Sequence, residues 1–242
     1  MKFRLDRLLT ELVSTISRKQ AKEAIRGGRV RIDGVVVTDP ERKTDPEEET
    51  VSLDGKGLTY AKFRYYLLNK PAGVLSATRD KKKETVLDLI PGIDHEKFFP
   101  VGRLDIDTEG LLLITNDGAL AHELLSPKKH VEKEYFALCK GVVTEEMLAP
   151  LAEGVDLGDF VTAPATFRIA GSEGENTGIF LTITEGKFHQ VKRMVALIGS
   201  EILALRRVRM GGLTIPEGLA AGEFTELSSE ELTARLHAGK NE

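Results

Sequence analysis

Apolar residues Leu5, Leu8, Leu9 and Leu12 recur at helical spacing and predict a first helix over residues 4–13. Ser17, with Gln20 three positions on, has the form of a capping box and opens a second helix that should stop at Gly27-Gly28. The alternating stretch 29–37 then reads as strand, Asp33-Gly34 turn and strand. A polar, acidic segment (39–50) and a short strand (50–53) follow, and Gly55-Lys56-Gly57 begins a linker. Beyond it, 64–70 is a strand stopped by Pro71, and 85–89 a short helix closed by Pro91-Gly92. Residues 111–115 form a strand that turns through Asn116-Asp117-Gly118 into a helix over 119–125. The pattern continues with strands at 134–140, 177–184, 202–208 and 224–227, and helices at 144–153 and 190–198. A last helix is capped by Ser228. Strands mixed irregularly with helices argue for an α+β fold with a mixed sheet, in two domains, 1–58 and 62–237.

Charge refines this picture. The net charge of the 242 residues is −4, which by itself argues against a polyanionic partner. Its distribution argues the other way. Residues 1–31 hold nine Lys/Arg against three Asp/Glu, 39–54 hold seven acids against two bases, and 180–210 return to six bases against two acids. Acid is thus concentrated in particular segments, leaving basic patches for nucleic acid. On the second helix Arg18, Lys19, Lys22 and Arg26 share one side, and Arg29 and Arg31 project from one face of the following strand. Such fixed cations suit phosphates, although a solvated basic face is the plain alternative. The single cysteine, Cys139, excludes an internal disulfide framework and suits a reducing cytoplasm. The charged N-terminus lacks a signal-peptide core, and no apolar run approaches membrane-spanning length.

The candidate chemistry lies in 102–110, Gly-Arg-Leu-Asp-Ile-Asp-Thr-Glu-Gly, where a tight polar loop delivers Asp105 to the start of an apolar strand. Asp105, Asp107, Glu109 and Gly110 match the early positions of a calcium loop. Position 12, however, is Asn116, and an apolar run occupies positions 7–10, so no metal is expected. A turn aspartate capping its own backbone is the structural alternative. His122 and His189 lack Cys or His partners at ligand spacing and read as structural or RNA-contacting.

Gly102-Arg103-Leu104-Asp105 resembles the catalytic-loop motif of the pseudouridine synthases. Three further stretches, in the right order, resemble segments of the RsuA family of those enzymes: Leu68-Asn69-Lys70-Pro71-Ala72-Gly73, the segment around Lys133-Glu134-Tyr135, and Glu185-Gly186-Lys187-Phe188-His189-Gln190-Val191-Lys192-Arg193-Met194. The two short helices and hairpin ahead of them resemble the S4 RNA-binding module. The resemblance implies a catalytic domain built on a mixed, largely antiparallel sheet flanked by helices. It implies an isomerase that turns one uridine of RNA into pseudouridine and needs no cofactor.

The same resemblance implies the roles. Asp105 is the catalytic carboxylate; it could attack C1′, add at C6 or take a proton from C2′, and each route needs it ionised in a largely dry pocket. Lys192 is the cation that opposes the cost of drying it, with Arg193 as the other choice. Tyr135 stacks the flipped uracil. Arg103 fills the vacated space or holds a phosphate, and Lys70 meets backbone phosphate. His189 to Met194 and Ser126-Pro127 look more like the small-subunit member of the family, which points to 16S rRNA, or an assembling small subunit, as the partner of a monomer. A 23S rRNA uridine is the near alternative, and a non-catalytic rRNA-binding assembly factor is the alternative of another class.

Overall fold

The computed structural model describes residues 2–13 and 15–238, and the chain divides into two units, Met1–Lys62 and Phe63–Glu242. In the first, strand β1 (Phe3–Arg4) leads into helices α1 (Leu5–Leu12) and α2 (Arg18–Arg26). Leu5, Leu8 and Leu9 lie on one face of α1 and are fully buried with Ala21, Ala24 and Ile25 of α2. The capping box forms: Ser17 Oγ accepts from the Gln20 N–H at 3.3 Å, and Gln20 Oε1 accepts the Ser17 N–H at 2.8 Å.

The unit continues with β2 (Val30–Ile32), β3 (Val35–Val36), β4 (Lys43–Thr44), β5 (Val51–Leu53) and β6 (Lys56–Leu58). Strands β3-β2-β5-β6 make an antiparallel sheet, and β4 pairs with β1. The expected linker at Gly55-Lys56-Gly57 is instead a hairpin into β6. Asp54-Gly55 has positive φ at both residues, as Asp33-Gly34 does, and makes the same kind of turn. The β1–β4 pair went unseen because strands of two residues carry no period.

The basic face of this unit is partly tied down from within. The fully buried Asp6 carboxylate accepts from Arg4 Nη2 at 3.1 Å and Arg18 Nε at 3.3 Å, with Lys22 Nζ at 3.9 Å. Burial pushes its carboxyl up, but the hydrogen bonds from Arg4 and Arg18 outweigh that and bring it to about 2. Arg29 Nε bonds Asp54 at 2.8 Å, Arg31 Nη1 donates to the Gly34 carbonyl at 2.9 Å, and Lys19 and Arg26 are exposed. Asp6 therefore holds one end of α2 in register while the outer cations keep their exposure.

The second unit contains β7 (Tyr65–Lys70), β8 (Phe99–Pro100), β9 (Glu109–Thr115), α3 (Gly118–Leu125), β10 (Lys133–Cys139), α4 (Glu145–Leu148), β11 (Thr166–Glu173), β12 (Asn176–Ile183), α5 (Gln190–Leu197), β13 (Ile202–Met210), β14 (Leu213–Thr214), β15 (Phe224–Leu227) and α6 (Ser229–Ala238). Seven strands run in the order β11-β12-β10-β13-β9-β7-β15, with β14 added to β13 and β8 to β9. Helices cover both faces, so alternate residues of the central strands enter different cores. Tyr66, Leu68, Leu112 and Ile114 pack toward Val191, Met194 and Val195 of α5. Tyr65, Leu67, Leu111 and Leu113 pack toward Leu124 of α3 and Leu232 of α6. This is why β7 and β9 read as continuous apolar runs instead of alternating ones. The fold is α+β, as the irregular succession of elements implies.

Two expectations need correction. Residues 85–89 are a turn, not a helix. The Thr85 N–H and hydroxyl are both taken by Asp88 Oδ2, at 2.7 and 2.8 Å, and Thr85 is bridged to Leu75, which holds it extended. The helix over 144–153 shortens to α4 and a 3₁₀ turn at Ala149–Ala152, because Pro150 has no N–H to continue it. Strand β11 gave no signal at all: it is an edge strand with nearly every side chain exposed.

Every neighbouring pair along the main path is antiparallel except one. Strands β13 and β9 run parallel and touch through only two pairs, Arg206 with Glu109 and Arg207 with Gly110. Gly110 has φ 103°, and a Cβ there would stand 2.2 Å from the Arg207 carbonyl oxygen. Only glycine permits this approach. The buried Arg207 stitches the seam, its Nε donating to the Leu111 carbonyl at 2.8 Å. No helix among the described residues is long and apolar enough to cross a membrane.

Candidate active site

The loop 102–108 enters this seam between β8 and β9, and its shape is set from below. Gly102 takes φ 80°, and the Leu104 N–H and carbonyl both bond the Ser76 hydroxyl, at 3.0 and 2.8 Å. Beneath the loop lies the Lys70 ammonium, fully buried. Its Nζ donates to the carbonyls of Pro71 at 3.0 Å, Asp105 at 3.2 Å, Ile106 at 3.4 Å and Thr108 at 2.9 Å. This corrects the expectation that Lys70 meets phosphate: with no exposed surface, it organises the backbone that presents Asp105. Burial lowers its pKa to about 8, against the pull of Asp107, Glu109 and Asp105.

Lys70→Met should therefore destabilise the catalytic unit by about 3 kcal/mol, because carbonyls are left buried without a donor. The pH dependence has a definite sign. The unfolded chain keeps this proton to about 10.5 while the folded chain releases it near 8, so the Lys70 contribution to stability grows as pH rises between those values. Urea titrations at either end of that window measure both effects. A variant as stable as the parent, with the same pH slope, would show that Lys70 does not hold the loop.

Above the loop, Lys192 Nζ stands 3.1 Å from Asp105 Oδ2 and 2.6 Å from Asp107 Oδ1. Lys192 sits in the first turn of α5, whose N-terminus itself favours anions. Burial would lower the Lys192 pKa, but its hydrogen bonds to Asp107 and Asp105 prevail and raise it. The same hydrogen bond lowers the Asp107 pKa. Asp105 is about a quarter exposed and lines an open cleft. Tyr135 lies on the wall of the cleft, largely buried, with Leu104, Ile183, Val191 and Leu205 beside it, while charged and polar side chains supply most of the exposed lining. Exposed Arg103 is at its edge.

Arg193 points elsewhere. Its guanidinium is held by Asp159 and donates to the Leu157 carbonyl at 2.6 Å, so it neither neutralises Asp105 nor stands ready for RNA. Four residues outside the expected catalytic set contribute to the site. Of these, Asp107 drew attention in the sequence only as a possible metal ligand, and His189 as a metal ligand, a structural residue or an RNA contact. Asp107 shares the Lys192 ammonium. His189, at a left-handed φ of 51°, brings Nε2 within 3.5 Å of Asp105 Oδ1. The Thr108 hydroxyl, at the cleft, is buried with no hydrogen-bond partner among the described residues. Gln190 fixes the loop before α5: its amide accepts the Lys187 N–H at 3.0 Å and donates to Glu185 at 2.7 Å. The Asp-x-Asp spacing and the position of His189 ahead of a helix were visible, but nothing in them shows which side of the loop they face.

A carboxylate fixed in a loop, paired to an ammonium and facing a cleft with an aromatic wall has the means to act on a flat, neutral ring. The family model for RNA pseudouridylate synthase matches residues 64–197, and that for the S4 domain matches residues 3–49. The chain is 46% identical to the RNA pseudouridine synthase YtzG of Bacillus subtilis, over 95% of this chain and 96% of that one. It is 38% identical to the ribosomal small subunit pseudouridine synthase A of Escherichia coli, over 96% and 99%. A crystal structure of a pseudouridylate synthase superposes with a TM-score of 0.66 at 34% identity, covering 96% of this chain and 99% of that one.

Proposed function

The chain belongs to the RNA pseudouridine synthases, isomerases that act on RNA, and on that premise we propose that it converts one uridine of 16S rRNA to pseudouridine with Asp105 as the reacting carboxylate. The reaction breaks the bond from uracil N1 to ribose C1′, turns the base and joins C5 to C1′. The C5 proton is lost and N1 gains one, so no atom or electron is needed from outside. The observation that carries this reading is the Asp105–Lys192 pair, 3.1 Å apart and lining the cleft. The ammonium gives the carboxylate a fixed countercharge inside the cleft.

In this reading uracil leaves the RNA stack and enters the cleft, with Tyr135 against its face. The unpartnered Thr108 hydroxyl offers a hydrogen bond to a polar edge of the base. Arg103 takes the space left in the RNA or a flanking phosphate. The S4 domain supplies the outlying grip through Arg18, Lys19, Lys22, Arg26, Arg29 and Arg31, all at least partly exposed. The small-subunit assignment is supported by the Escherichia coli relative and by the residues around Lys192. In this reading the protein works in the cytoplasm, on rRNA or an assembling small subunit.

Mapping pseudouridine across all rRNA from cells with and without the gene tests this directly. One 16S uridine should lose its modification in the deletion strain and regain it on complementation. Loss at a 23S position instead would move the substrate to the large subunit. An unchanged map would leave only a role in binding rRNA.

A further inference from the structure

Phe188 is placed in a way that folding does not explain. It is 75% exposed, and it is the only aromatic ring among the large hydrophobic side chains left exposed by the described residues. One face of the ring lies on His189, with centroids 3.8 Å apart and planes 19° from parallel. His189 in turn reaches Asp105 at 3.5 Å, so the two rings form a short column that starts in solvent and ends beside the carboxylate. The buried Gln190 amide, bonded to Lys187 and Glu185, fixes the backbone that carries them. Arg103, Lys187 and Lys192 surround the adjacent cleft with positive charge.

We propose that Phe188 is a stacking platform for the nucleobase next to the target uridine. The proposal rests on the reading of this chain as an RNA enzyme with its reaction centre at Asp105. When one base is withdrawn into the cleft, its neighbour in the strand loses a stacking partner, and a flat apolar ring at the cleft rim replaces it. The column then runs base, Phe188, His189. The phosphates on either side of the withdrawn uridine fall to the surrounding cations. Every base has a π face, so Phe188 fixes where the strand lies and not which sequence is read. It is a positioning residue.

The chain contains no tryptophan, so Phe188→Trp places a single indole reporter at the platform. This variant is titrated with transcripts of 16S and 23S rRNA, with binding followed in parallel by filter retention. Indole fluorescence should be quenched in step with binding. Phe188→Ala should weaken affinity by about 5- to 150-fold. It should raise KM similarly, while the single-turnover rate at saturating RNA stays within about threefold of the parent. Phe188→Tyr should keep affinity, and Phe188→Leu, apolar but not flat, should behave as Ala does. Indole emission that is unchanged at RNA saturation, a Leu variant as good as the parent, or no binding to either transcript overturns the proposal. Quenching by an RNA that the parent protein never isomerises would sink the enzymatic reading and leave the platform standing. Full affinity in the Ala variant with active turnover would sink the platform alone.

Discussion

Asp105→Asn should lower the rate of pseudouridine formation by several powers of ten while RNA affinity and folding stay close to those of the parent. Asn keeps the shape of the side chain and removes its charge. The fold should tolerate it, because the Lys70 bonds to this loop go to backbone carbonyls, and Lys192 keeps Asp107 as a partner at 2.6 Å. The assay is release of tritium from rRNA labelled at uridine C5, since that hydrogen leaves in the reaction, with filter binding and thermal unfolding as controls. A variant retaining more than about a tenth of parental turnover, against the several orders expected, would remove Asp105 from the chemistry.

Lys192→Met should have the next largest effect. Hydrogen bonds to charged groups contribute about 1.5–3 kcal/mol, so loss of the ammonium should slow turnover roughly tenfold to a hundredfold at neutral pH. The Arg variant is the sharper test. Lys192→Arg should retain more activity than Met but less than the parent, since a planar guanidinium cannot occupy the same point between two carboxylates. Single-turnover rates of the three proteins at saturating RNA measure the order. A Met variant with the parental rate would place Lys192 outside the reaction, and Arg193, already held by Asp159, could not take its place.

Much of this was legible in the sequence because it is local. The capping box at Ser17, the Asp33-Gly34 turn and the apolar runs of β7 and β9 are each written in a few adjacent residues. What escaped depends on partners far along the chain. Lys70 looks like an exposed cation before a proline, yet three of the carbonyls that bury it come from residues 35, 36 and 38 positions later. Arg193 shares the basic run of Lys192, but its partner Asp159 sits in a loop without a motif. The pairing of Lys192 with Asp105 was expected from resemblance to a family, not from spacing; spacing cannot join residues so far apart. Strand β11 lacks the buried face that creates a period, and Asp54-Gly55 was misread because the strand after it has only three residues.

The parallel seam also decides when, in the life of the molecule, the site comes into being. Leu111 and Arg207 are 96 positions apart, and Asp107 and Lys192 are 85 apart. Contacts this distant close late, since the long intervening chain must give up its freedom before they form. During synthesis the GRLD loop leaves the ribosome well before the helix bearing Lys192 and the strand bearing Arg207. A nascent chain thus carries the motif without the site. On the proposed reading, docking of β13 against Gly110 and of the helix bearing Lys192 against the loop is what completes the surroundings of Asp105.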